Sequence, residues 1–112
     1  MIEKILLDYL NENLGNVRAY AERPETPPDE YVLIEKTGGG RENLIYNSLI
    51  TIQSYSDTLL HTAQLNDRVV SLVLNAIDLP EITWVDLNSN YNYTDTGSKR
   101  YRYQAVFDVK HY

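Results

Sequence analysis

The sequence contains no cysteine, which excludes disulfide bonds, thiolate metal sites and cysteine nucleophiles together. It has two histidines, His61 and His111, and neither lies in a His-x-x-x-His or Glu-x-x-His pattern that would place two metal ligands on one helical face. It also has no Gly-x-Ser-x-Gly motif and no apolar run near the ~20 residues that span a bilayer. These absences predict a protein that is not an enzyme, with no catalytic residue, no cofactor, no metal and no membrane partner.

The charge balance is acidic, with 16 aspartates and glutamates against 10 lysines and arginines and a net charge of −6. Such a chain repels nucleic acid overall, unless a local basic patch overrides the repulsion. Hydrophobic residues make up 43% and charged residues 23%, as in ordinary globular domains. The length predicts a single domain over residues 1–112, and the first residues lack the basic flank and apolar stretch of a signal peptide.

Tyrosine dominates the aromatic residues, with ten tyrosines against one phenylalanine and one tryptophan. A tyrosine side chain joins a large apolar ring to a polar hydroxyl, so it suits half-exposed strands and interfaces better than deep cores. The composition therefore favours a protein that works by contact with another surface.

Hydrophobic periodicity and turn residues predict seven elements along the chain. Apolar residues recur at three- and four-residue spacing over 2–14 and again over 59–77, which predicts two helices. Alternating or β-branched runs predict five strands, over 17–22, 31–36, 49–55, 82–91 and 101–112. Three prolines place a surface loop at 24–30. The order α-β-β-β-α-β-β predicts an α+β fold, a mixed or mainly antiparallel β-sheet with two helices packed on one face.

Three consecutive glycines, Gly38–Gly40, follow the second predicted strand. A phosphate-binding loop needs Gly-Lys-Ser/Thr leading into a helix, but here Arg41 follows the glycines and the next element is a strand. The run therefore predicts a flexible hairpin connection over 37–41.

Oxygen-bearing side chains alternate along the fourth predicted strand, at Asp86, Asn88 and Asn90. Because strand side chains alternate between faces, we expect these three to share one solvated face. Their spacing, taken with Asp95 and Asp108, does not match a calcium-binding loop.

The last predicted hairpin combines cations with tyrosines. Lys99, Arg100 and Arg102 lie beside Tyr101 and Tyr103, and two more tyrosines, 91 and 93, lie across the hairpin. Aromatic residues interleaved with cations on a sheet are typical of proteins that bind single-stranded nucleic acid. Cross-strand tyrosine pairs also stabilise hairpins without any ligand. A nucleic-acid-binding module is therefore an alternative interpretation, against the net charge.

Several longer stretches resemble a known family. These are Arg23 to Arg41 (RPETPPDEYVLIEKTGGGR), Ile52 to Ser56 (IQSYS), Asn90 to Asp95 (NYNYTD) and Lys99 to Asp108 (KRYRYQAVFD). They resemble small tail proteins of long-tailed bacteriophages and of prophages in Gram-positive bacteria, which are often labelled minor capsid or tail-component proteins. Within that group, the length and element order are similar to the tail terminator, or head–tail joining protein.

The resemblance implies a structural virion protein that assembles in the bacterial cytoplasm and belongs to the neck of the tail. It implies a homo-hexameric ring that caps the tail tube, stops tube polymerisation and joins the tail to the head–tail connector proteins. Phage DNA would pass through the lumen of the ring without specific binding. A neighbouring role as a connector or head-completion protein is the alternative within the virion.

Tyrosine and arginine dominate the energetics of protein interfaces, so we select such residues in or beside predicted loops as interface candidates. The loops are the proline loop, the glycine run and the hairpin tip over 92–100. The candidate interface residues are Arg23, Tyr31, Arg41, Tyr93, Arg100 and Arg102.

Overall fold

A computed structural model describes residues 1–95, 97 and 100–112 of the chain. Its elements are α1 (Ile2–Asn13), β1 (Arg18–Tyr20), β2 (Tyr31–Glu42), β3 (Ile45–Ser56), α2 (Leu59–Asn75), a 3₁₀ turn (Ala76–Asp78), β4 (Ile82–Asn92) and β5 (Tyr101–His111). The predicted order α-β-β-β-α-β-β is confirmed. In the part of the chain that is described, no helix has the length and apolar character needed to cross a membrane.

The five strands form one sheet in the order β1-β2-β3-β5-β4. β1 pairs with β2 in parallel, and the other three pairings are antiparallel. Both helices pack on one face, where Leu6 of α1 and Val69 of α2 meet Ile52 and Phe107 of the central strands. The predicted α+β class, with a mainly antiparallel sheet and two helices on one face, is confirmed. We call the opposite face of the sheet the open face.

Local signals place the two helices. Ile2, Leu6 and Leu10 recur every four residues and are the buried side of α1, and Gly15 ends the helix with a left-handed φ of +68°. Thr58 caps α2, because its side chain accepts a hydrogen bond from the backbone N–H of His61 at 3.0 Å. The helix boundaries therefore follow from residues within one turn of each end.

The glycine run belongs to a strand, so the predicted flexible connection over 37–41 is wrong. β2 continues to Glu42, and Gly38–Gly40 pair with residues 47–49 of β3. A Cβ atom on Gly39 would lie 2.6 Å from the backbone oxygen of Asn47, so glycine lets the two backbones approach closely here. The hairpin turns at two residues, Asn43 and Leu44, which both have positive φ.

The expected single face for Asp86, Asn88 and Asn90 is also wrong. A register shift between Leu87 and Ser89 changes the alternation, so that Asn90 pairs with Ala105 on the helix side. There its Oδ1 accepts a hydrogen bond from Nδ2 of the buried Asn66 at 2.7 Å. The bulge thus places Asn90 on the helix side of the sheet, where it stays exposed, while Asn88 bonds to Asp108 on the open face. Over residues 1–95, 97 and 100–112, no group of three or more acidic, histidine or cysteine side chains could hold a metal ion.

Candidate functional site

Aromatic rings and one arginine form a continuous row across all five strands at one end of the open face. The stacked pair Tyr31 and Tyr55 lies at its centre, with ring centroids 4.5 Å apart and planes within 4° of parallel. Tyr20 of β1 meets Tyr31 edge-on at 6.2 Å. This row follows from the register, because Tyr31 pairs with Tyr55 and Tyr55 pairs with Arg102.

Arg102 joins the stacked pair to the edge strand. Its guanidinium carbon lies 4.3 Å from the ring centre of Tyr93 and 5.9 Å from that of Tyr55, within cation–π range. Its Nε donates to the backbone oxygen of Tyr93 at 3.0 Å, and Nη1 donates to the Tyr55 hydroxyl at 3.4 Å. Tyr91 extends the row by an edge-on contact with Tyr93. The tyrosine–arginine cluster consists of Tyr20, Tyr31, Tyr55, Tyr91, Tyr93, Arg100 and Arg102.

A small pocket of about 220 Å³ lies beside the cluster, between Pro27 of the proline loop and the end of β3. Ser56 donates a hydrogen bond to Glu30 at 2.8 Å and to Asp57 at 3.1 Å. Asp57 Oδ1 also accepts from Nδ1 of His61 at 2.8 Å, and these hydrogen bonds lower the pKa of the Asp57 carboxyl. The polar groups beside the pocket are therefore already bonded to one another, which fixes the loop against the start of α2.

A serine and a histidine meet elsewhere in the fold, at a contact that sequence spacing could not reveal. Nε2 of His111 lies 2.7 Å from Oγ of Ser48, and Nδ1 lies 3.2 Å from the backbone oxygen of Tyr112. Both side chains are buried, and the ring of Tyr46 stacks on the imidazole. This hydrogen bond connects the start of β3 to the end of β5. The Ser48 hydroxyl is fully buried, so a substrate could not reach it.

Four of the six interface candidates come together in the cluster: Tyr31, Tyr93, Arg100 and Arg102. Arg100 donates from Nη1 to the Tyr31 hydroxyl at 3.4 Å. Tyr31 itself is only 2% exposed and begins β2, so it lacks the exposed loop position for which it was selected. Its ring contacts Tyr20 and Tyr55 of its own chain, and the interface roles of all six candidates stay predictions.

The two remaining candidates lie outside the row of rings. Arg23 is exposed in the segment after β1, and its charge opposes the raised pKa of Tyr31. Arg41 lies at the far end of the β2–β3 hairpin and pairs with Tyr46 on the helix side, with its guanidinium carbon 5.3 Å from the ring centre of Tyr46. Arg41 therefore belongs to a separate surface.

Tyr20 and Tyr55, which complete the row, are not among the residues predicted from the sequence. Both lie on the same face of the sheet as Tyr31, but their contacts with Tyr31 depend on the register between strands, which the sequence does not show. The residues that favoured nucleic-acid binding lie on two different faces of the sheet. Tyr101 and Tyr103 pair with Ser56 and Ser54 on the helix side, whereas Arg102 lies on the open face. Lys99, the third cation of that pattern, lies outside the described residues.

No model of a known protein family matches the chain, and no curated protein matches it.

Ionisation of Tyr31 provides a test of the cluster. Burial, followed by the nearby Tyr55, raises the pKa of the Tyr31 phenol above its ordinary value. The neutral phenol is favoured in the folded chain, so its contribution to stability is present below the unfolded pKa and is lost as the pH rises through the folded pKa. We expect Tyr31→Phe to reduce the loss in free energy of unfolding between about pH 8 and about pH 11, measured by urea denaturation.

Tyr112→Phe is the matched control, because Tyr112 is 69% exposed. Its removal should leave the alkaline loss of stability as in the unmodified chain. An alkaline loss that Tyr31→Phe does not change would contradict the burial of an ionisable Tyr31 phenol in the cluster.

Proposed function

We propose that this chain is the subunit of a homo-oligomeric ring that caps the tail tube of a long-tailed phage, stops tube polymerisation and joins the tail to the head. The observation that carries the proposal is the open face, which both helices leave uncovered. It exposes large aromatic side chains, with Trp84 52% exposed and Tyr91 and Tyr93 of the tyrosine–arginine cluster also exposed. Exposed aromatic and arginine side chains grouped on one face are typical of protein interfaces.

The helix side of the molecule supports a ring rather than a two-fold dimer. It exposes a different apolar set, with Leu60 67% exposed and Leu74 and Ile77 also exposed. A head-to-tail contact joins two different surfaces of the same chain and closes into a ring when the rotation permits. Two distinct exposed surfaces on opposite sides of one sheet meet that requirement.

The nucleic-acid interpretation has less support. Two of the five cluster tyrosines, Tyr31 and Tyr55, stack on each other and are buried, so their rings are not available to stack on bases. The net charge of −6 opposes phosphate binding over the surface as a whole.

The decisive experiment adds the purified chain to tail-tube subunits from the same phage genome as they polymerise. We expect tube growth to stop, with the chain bound at one end of each tube in electron micrographs. An acidic protein of similar mass is the control and should leave tube length unchanged. Unchanged tube growth without end binding would overturn the terminator role, and binding to the head–tail connector complex alone would assign the connector role instead.

A further inference from the structure

The turn of the β2–β3 hairpin has an unusual residue at its second position. Asn43 and Leu44 have φ of 51° and 70°, the double positive φ that a two-residue type I′ turn requires. Asparagine adopts this region readily, and glycine is the residue preferred at the second position. A leucine there is a backbone outlier, because its branched side chain disfavours positive φ.

The pairing of Glu42 with Ile45 closes the turn around this conformation. Leu44 is 73% exposed, so its side chain gains little burial from the fold. Strained residues cluster at functional sites, including sites that bind a ligand or partner. Burial of the apolar side chain then takes place when the partner binds. We propose that the hairpin tip, Arg41–Leu44, binds a second copy of this chain, with Leu44 as the apolar anchor.

The second copy offers a complementary surface on its helix layer. An open depression of about 360 Å³ is lined by Asn13 at the end of α1 and by Asp67, Arg68, Ser71 and Leu72 of α2. It carries one charge of each sign, as the tip does, so in the proposed contact Asp67 pairs with Arg41 and Arg68 pairs with Glu42. Leu72 supplies apolar surface for Leu44. We call this surface the α1–α2 depression.

One chain cannot fill its own depression with its own tip. The depression adjoins Asn13, whereas the base of the hairpin tip lies near the start of α1, where Met1, Lys36 and Tyr46 line a common pocket. The two sites are therefore separated by the length of α1, about 18 Å at 1.5 Å per residue. The proposed contact is therefore head-to-tail. Its role as the contact between neighbouring subunits of a ring rests on the proposed function.

Leu44→Gly tests the anchor without damaging the fold. Glycine accepts the positive φ, which offsets its greater freedom in the unfolded chain, so Tm should be unchanged or a few degrees higher. We expect self-association, measured by sedimentation velocity over a concentration series, to weaken by about tenfold or more. Leu59→Ala is the control: it removes another exposed leucine, at the start of α2 and outside both the tip and the depression, and self-association should be unchanged.

A charge exchange tests the partner surface. Arg41→Asp and Asp67→Arg should each weaken self-association, and the chain with both changes should recover most of it. Recovery of self-association in the doubly changed chain would indicate a direct contact between positions 41 and 67. If each change only damaged the fold, the two losses of self-association would add together. The same variants are assayed for binding to tube ends, so that assembly on a tube is also detected.

The outcomes separate the inference from the proposed function. Self-association of Leu44→Gly equal to that of the unmodified chain, or no recovery in the doubly changed chain, overturns the tip-to-depression contact while leaving tube capping intact. Loss of tube-end binding by Leu44→Gly with unchanged self-association also overturns it and assigns the tip to the tube protein. An unmodified chain that forms no oligomer, alone or on tubes, overturns the proposed ring.

Discussion

Replacement of Phe107 with alanine is expected to lower the free energy of unfolding by about 3–5 kcal/mol. Phe107 is fully buried, and it pairs with Ile50 of β3 and Leu87 of β4 on the face that both helices cover. Removal of the ring loses its transfer free energy and leaves a cavity between the sheet and the helices, which rigid neighbours fill only in part. Because small domains are stable by about 5–15 kcal/mol, this change removes a large share of the total.

Urea unfolding followed by circular dichroism measures the effect. Trp84→Ala is the control, because it deletes a larger aromatic ring from the paired strand β4 but on the open face, where the ring is 52% exposed. We expect the control to cost about 1 kcal/mol. A loss for Phe107→Ala no larger than that of the control would contradict the assignment of the core to the helix side of the sheet.

The sequence was sufficient to predict the element order and the core because both depend on local periodicity. In β5, Ala105, Phe107 and Val109 alternate along one side of the strand, and all three residues are buried. In α1, Leu6 and Leu10 share one helical side for the same reason. These patterns report the environment of each residue without any knowledge of its distant neighbours.

The errors arose where a distant backbone decides the local structure. Gly38–Gly40 were predicted as a flexible connection from their own conformational freedom, but β3 supplies the pairing that orders them. The position of Asn90 on the helix side depends on a bulge that its own alternation does not show. Local composition therefore predicts which residues form strands better than it predicts where those strands end.

In the candidate site, too, local features were predicted from the sequence and contacts between distant strands were not. The selection of Arg100, Arg102 and Tyr93 used residue type and position in the last hairpin, and these residues do lie together. The stack of Tyr31 on Tyr55 could not be predicted, because it requires the register between β2 and β3. The buried contact between Ser48 and His111 likewise joins residues 63 positions apart.

Gly39→Ala is expected to lower the free energy of unfolding by about 1–3 kcal/mol. The new Cβ would lie 2.6 Å from the backbone oxygen of Asn47 and 3.2 Å from Cε of Lys36. The lysine side chain can move away, but the Asn47 oxygen is fixed by the pairing of β2 with β3. The backbone must therefore shift, which also displaces the hairpin tip and should weaken self-association together with stability.

Gly40→Ala is the matched control, one residue along the same strand. A Cβ on Gly40 would meet no atom within 4 Å, so its effect on unfolding, measured by urea denaturation, should stay within about 0.5 kcal/mol. The comparison distinguishes a paired strand from a flexible connection, because a flexible segment would accept an added methyl group equally well at either position. Equal effects of the two substitutions would contradict the close approach of β2 and β3 and would restore the flexible connection that the sequence predicted.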